Sequence, residues 1–210
     1  MTTSYSGIVA WENSGKIYVS KYRYESSSFS EPFAVDSAGA YCPVLASYSN
    51  VNYLKKNGDS TTIFSIKLFY KENENSWGVN EIITKSFKGI GSNLASGRFV
   101  GGAMANQNKI GTNPNSLVLF PSGIPSIEFQ NSTTYILSQP SIIEYQIRVK
   151  SKEQCFLAYV TDSLGRNEIF IENPYGYNIW PQNISQWPED DRNPRFFETW
   201  LSMNEVRLYL

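Results

Sequence analysis

Histidine is missing from all 210 residues. Its absence removes Ser-His-Asp and Cys-His nucleophile systems, histidine-ligated zinc and the commonest general base near neutral pH. Cysteine is nearly missing too, with only Cys42 and Cys155. Two thiols cannot build an all-cysteine zinc site, which takes four. A disulfide between them and a pair of buried thiols both remain open readings. Charge is sparse: Asp, Glu, Lys and Arg make up 18% of the chain, and the net charge is −1. The nearest thing to a basic stripe is Arg192-Asn193-Pro194-Arg195. That is too thin to neutralise phosphates, so nucleic acid is not an expected partner. No apolar run approaches the ~20 residues of a membrane span. Residues 1–8 are polar and carry neither the basic nor the apolar region of a cleavable signal. No Walker A motif occurs, and Gly89-Ile90-Gly91 lacks the third glycine of a dinucleotide fingerprint. No cofactor and no metal are expected.

Aromatics, at 15%, are plentiful. With so few charges, the polar surface must come from Ser, Thr, Asn and Gln. Such a surface suits glycan recognition, dense assemblies or an extracellular life, so the expected location is extracellular or on a particle surface.

Hydrophobic patterning is that of strands. Ile8-Val9-Ala10-Trp11, a turn at Gly15 and the run from Lys16 to Tyr24 read as a β-hairpin. Asn57-Gly58-Asp59 is a turn ahead of a β-rich run from Thr61 to Tyr70. Residues 143–149 alternate Ile143, Tyr145, Ile147 and Val149 with Glu144, Gln146 and Arg148, as a half-buried strand does. Residues 1–85 form a hairpin-rich region and 86–116 a Gly- and Asn-rich loop or linker. Residues 117–210 form a second β region that makes one compact domain with the first. Near the C-terminus, Asn193 as cap, Pro194 at the first helical position and Phe196, Phe197, Trp200 and Leu201 predict a short helix. The expected fold is all-β and antiparallel, a β-propeller-like array or a β-sandwich or jelly roll, with that one helix.

The unit Ile8-Val9-Ala10-Trp11, Gly15, Ile17-Tyr18-Val19 is echoed by Phe156-Leu157-Ala158-Tyr159, Gly165, Ile169-Phe170-Ile171. Ser76-Trp77 followed by Ile82-Ile83 echoes Ser28-Phe29 followed by Phe33-Ala34-Val35. A hairpin, an aromatic in the next loop and a further strand resembles one blade of the β-propellers of the sialidase and fucose-lectin type. The resemblance covers about a third of the chain and lacks the Ser-x-Asp-x-Gly-x-x-Trp box. It implies radial four-stranded sheets with ligand sites between blades or at a central channel. For a sialidase it would also imply an arginine cluster and a Tyr–Glu pair, which no motif marks.

The candidate binding residues are Tyr175, Tyr177, Asn178, Trp180, Gln182 and Trp187, in a Pro-, Asn- and Gln-rich stretch. Aromatic faces stack on sugar C–H surfaces, and amides match hydroxyls as both donor and acceptor. Trp11 and Trp77 sit in strand runs and read as core. The acids a glycosidase could draw on are Glu144, Asp162, Glu168, Glu189, Asp190 and Asp191. Within them, Glu189-Asp190-Asp191 reads best as capping a loop beside Arg192. The sequence therefore points to a non-enzymatic recognition protein, a lectin-like glycan binder with a homo-oligomer or neighbouring subunits as further partners. The alternatives are a structural subunit of a larger particle (virion surface, cement or tail) and a sialidase-like glycoside hydrolase.

Overall fold

The computed structural model describes residues 2–5, 7–36, 38–45, 50–96, 102–107, 115–119, 127–132, 137–147, 152–173, 181–185, 190–192, 194, 197–202 and 205–209. The chain divides into two compact units, Met1–Ser96 and Gly97–Leu210. Every described ladder is antiparallel, and strands pair mainly with their neighbours in sequence.

In the first unit, β1 (Thr2–Tyr5), β2 (Ile8–Asn13) and β3 (Lys16–Arg23) form a meander. Strand β3 pairs at its end with β4 (Ser28–Phe29) and at its start with β5 (Phe33–Asp36). The turn from β2 to β3 is Ser14-Gly15, with φ of 53° and 71°. Positive φ at both centres is the type I′ geometry that matches strand twist. A second sheet runs β6 (Ala40–Leu45), β7 (Asn50–Asn57), β8 (Ser60–Lys71) and β9 (Ser76–Lys88) in that order. Strand β10 (Ile90–Ser96) completes the unit. The two sheets share one core: Ile8, Ala10, Ile17 and Val19 from the first, and Ala40, Leu45, Val51, Tyr53, Ile66 and Leu68 from the second. Ile17, Val19 and Val51 are at most 1% exposed, and burying each such side chain contributes about 1.5–3 kcal/mol.

The second unit holds β11 (Gly102–Gln107), β12 (Asn115–Leu119) and β13 (Ile127–Ser132), paired in sequence. A four-stranded meander follows: β14 (Leu137–Ile147), β15 (Lys152–Thr161), β16 (Glu168–Glu172) and β17 (Gln182–Asn183). A hairpin of β18 (Phe197–Ser202) and β19 (Glu205–Tyr209) comes last.

The all-β, antiparallel expectation is met, and two local expectations are corrected. The short C-terminal helix is not formed: Phe197, Trp200 and Leu201 lie in β18, where Phe197 and Trp200 pair in register with β19 and Leu201 sits at a slip in the ladder. Aromatic and β-branched residues suit a ladder as well as a helix, and the partner strand decides between them. The loop or linker expected over 86–116 instead contains the end of β9, all of β10 and β11, and the start of β12. Gly89 and Gly91 within it are held by a partner that composition does not reveal. Buried Thr61 donates to Gly89 O at 2.9 Å and accepts from Gly91 N at 2.8 Å. The strand β7 escaped the sequence reading. Its residues Val51, Asn52, Tyr53 and Leu54 are all buried, so the alternation that marks a half-exposed strand is absent.

The echo between 8–19 and 156–171 has a structural basis. Trp11 pairs in register with Tyr18, their rings stacked at 5.7 Å. Tyr159 pairs with Phe170 at 6.1 Å, and Tyr53 with Phe64 at 5.2 Å. Opposite Tyr53 the register slips at Cys42-Pro43, and opposite Tyr159 it slips at Gln139-Pro140. Cys42 and Gln139 take φ of 51° and 49°. Two residues facing one is a β-bulge, and proline removes the N–H that the disrupted ladder could not use. The hairpin tips also repeat a contact: Gly15 O accepts from Ala40 N, Asp59 O from Gly89 N and Asn167 O from Asp191 N, at 2.7–2.9 Å.

Candidate functional site

Two turns of the first unit meet to form a cleft of about 720 Å³. One wall is the end of β3 and the turn 24–27 that leads to β4. The other is the single-turn 3₁₀ helix Glu72–Glu74 and Asn75, which joins β8 to β9. Asn75 adopts the left-handed conformation (φ 51°, ψ 39°), and its N–H donates to Glu72 O at 3.2 Å. Asparagine tolerates this conformation better than most residues.

Side chains tie the walls together. Asn75 Oδ1 accepts from Arg23 Nη1 at 3.1 Å and from the Tyr70 hydroxyl. Arg23 Nη2 also donates to Ser28 Oγ at 3.3 Å and to Phe29 O at 3.4 Å. Lys21 is ion-paired with Glu72, and its Nζ stands 4.9 Å over the Tyr70 ring. Both cations of the cleft therefore already have acceptors, and Glu25 and Glu72 balance their charge. On the turn itself, Lys71 holds the Glu74 carboxyl below the usual carboxylate range, with help from Ser76.

The apolar part of the wall is aromatic. Tyr22 meets Tyr24 edge-on at 5.1 Å and Phe29 at 5.3 Å. Tyr24 is 78% exposed and Phe29 51%, so an aromatic face is offered to solvent beside the amides of Asn73 and Asn75. Tyr70 continues inward to an edge contact with Trp77 at 5.0 Å, and Trp77 packs on the core.

Of the residues expected from sequence to bind, Gln182 lies exposed in β17, paired in register with Ile171. Tyr175, Tyr177, Asn178, Trp180 and Trp187 lie outside the described residues, as does Glu189. The cleft residues were missed because their signal is split between two turns about 50 positions apart. The visible part of that signal was the Tyr18, Ser20, Tyr22, Tyr24 alternation and the turn-like Glu72-Asn73-Glu74-Asn75 run.

Two of the candidate acids, Glu168 and Asp190, have other work. Glu168 is fully buried at the start of β16. Arg166 Nε donates to its Oε1, while Ser185 Oγ (2.9 Å) and Asn183 Nδ2 (3.3 Å) donate to Oε2. The Arg166 hydrogen bond first, then Ser185 and Asn183, hold its carboxyl below the usual range despite burial. Asp190 accepts from Asn167 N and Nδ2, each at 3.1 Å, and from Arg192 Nη2 at 3.1 Å. It caps the loop before β16. Cys42 is a free thiol that donates to Ser92 O at 3.2 Å, and burial pushes its pKa up.

The described residues thus define an antiparallel all-β protein with an aromatic, amide-bearing and charge-balanced cleft in its first unit. No protein-family model matches the chain, and no curated protein matches it in sequence.

Proposed function

We propose that this chain is a non-enzymatic recognition protein that binds glycans, working outside the cell or on a particle surface. The observation that carries this reading is the cleft. It sets the exposed ring of Tyr24, with Tyr22 edge-on to it, beside the amides of Asn73 and Asn75. A sugar ring has one apolar C–H face and a rim of hydroxyls, and these two kinds of group match it. The runs of four-stranded antiparallel meander support the propeller-like reading of the fold, which would put ligands between blades or at a central channel. The stretch with Tyr175, Tyr177, Asn178, Trp180, Gln182 and Trp187 offers the same chemistry and is proposed as a second surface of that kind.

The non-enzymatic part rests on how two of the candidate acids are used. Glu168 is buried against three donors, and Asp190 is held by Asn167 and Arg192. Neither is poised to exchange a proton with a substrate. The reading as a subunit of a larger assembly is favoured by one feature, the long exposed strand β9.

A glycan array followed by titration tests the proposal. Tyr24→Ala should weaken binding about three- to tenfold, the worth of one aromatic contact. Asn73→Ala should weaken it to a similar extent. If wild-type protein binds no glycan, or both variants bind as wild type does, the cleft is not the site.

A further inference from the structure

The cations of the cleft are committed within the protein, and one of its carboxylates is not. Lys21 is ion-paired with Glu72 and stands over the Tyr70 ring. Arg23 uses Nη1 on Asn75 and Nη2 on Ser28 and Phe29, and its Nε has no acceptor but is shut off from solvent. Glu25 differs from both. It is the second residue of the turn 24–27, which Ser27 N closes on Tyr24 O at 3.3 Å and the Ser26–Ser28 hydroxyl pair braces at 2.8 Å. Glu25 is exposed, lines the cleft next to Tyr24 and has no hydrogen bond or ion pair among the described residues. An ionised carboxylate in that state is purely an acceptor.

We infer that Glu25 sets the specificity of the cleft, accepting the hydroxyls of uncharged sugars and turning acidic sugars away. This rests on the glycan-binding reading of the cleft. Neighbouring hydroxyls of a sugar ring can each donate to one carboxylate oxygen, and such charge-assisted bonds are roughly twice as strong as neutral ones. An acidic sugar that sets its own carboxylate there has no hydrogen to donate and adds a like charge. At contact distance in water that repulsion alone weakens binding about fivefold. A free arginine or lysine would offset it, but Arg23 and Lys21 are taken. Asn73, exposed on the other wall and also without a partner among the described residues, serves neutral hydroxyls as both donor and acceptor.

The test is NMR titration of the full chain with six probes. These are the methyl glycosides of galactose, glucose and mannose, and the same three with the C6 hydroxymethyl oxidised to a carboxylate. Wild type should bind at least one neutral glycoside, and its acidic counterpart about fivefold or more weakly. Glu25→Gln keeps the shape and removes the charge. It should weaken the neutral glycoside about three- to tenfold and bring the acidic one level with it, since Lys21 and Arg23 then outweigh Glu72. Because Glu25 holds nothing in the fold, the melting temperature should not move. Glu31→Gln makes the same charge change at an exposed position outside the cleft and should leave the ratio of the two affinities as in wild type. Acidic probes that bind wild type as well as neutral ones do, a ratio unmoved by Glu25→Gln, or one moved equally by Glu31→Gln would overturn the role of Glu25. Each of these leaves the cleft itself a glycan site. No binding of any of the six probes overturns the inference too, and the array with Tyr24→Ala and Asn73→Ala then decides whether the glycan reading falls with it.

Discussion

Single residues decide this structure where a polar group is buried with its partners in place. Thr61 has no exposed surface, and its hydroxyl bridges Gly89 O and Gly91 N, both on buried residues. Thr61→Val keeps the shape but strands two backbone groups. The expected cost is about 2–4 kcal/mol, read from the urea midpoint, and Thr61→Ser should cost clearly less. Tyr53 is the analogous case in the shared core. Its hydroxyl donates to Asp36 Oδ2 at 2.8 Å, and Lys55 Nζ closes the group at 3.0 Å and 3.1 Å from the same carboxylate. Burial first, then Asp36, push the tyrosine's pKa far up, so it stays a neutral donor. Glu168 makes the pH-dependent contribution. Its folded pKa is lowered by Arg166, Ser185 and Asn183, so the charged form stabilises the fold at pH above the ordinary glutamate value of 4.5. That stabilisation is lost as pH falls below this value and through the lowered folded pKa. Urea midpoints from pH 6 to pH 2.5 should therefore drop more steeply for wild type than for Glu168→Gln, and parallel curves would contradict the assignment.

At the scale of elements, turns and bulges set the register. Gly15 lies at φ 71°, and a Cβ there would come within 3.3 Å of Gly39 N, at the start of the next sheet. Gly15→Ala should destabilise the protein by about 1–2 kcal/mol, since a left-handed alanine is strained. A thermal-melt shift of a few degrees would register it. The Cys42-Pro43 and Gln139-Pro140 bulges each leave a buried tyrosine, Tyr53 or Tyr159, facing two residues. Most elements were legible in the sequence: the 8–24 hairpin and the strand after Asn57-Gly58-Asp59 follow from alternation and turn chemistry. Others were not. Strand β7 is buried on both faces, β10 depends on Thr61 lying 30 positions before Gly91, and β18 depends on β19. In each case the deciding contact is nonlocal, which local propensity cannot report.

On the scale of the molecule, the same sheet recipe recurs: a stacked aromatic pair between adjacent strands and a hairpin tip that accepts an N–H from the chain some 24–30 positions on. No helix among the described residues is long and apolar enough to cross a membrane.

By itself, the sequence determined the chemistry the protein has to work with. Without histidine and with few charges, it was left with hydroxyls, amides and aromatic rings carried on short alternating strands. Only the tertiary structure decided where these meet. Tyr24 and Asn73 are 49 positions apart and line one cleft because β3 and β8 end at neighbouring turns. Glu168 is a structural anion because Ser185 and Asn183 fold back onto it. Alternation and turn chemistry act between residues close in sequence, whereas a cleft, a buried charge and a sheet edge arise from contacts between distant ones.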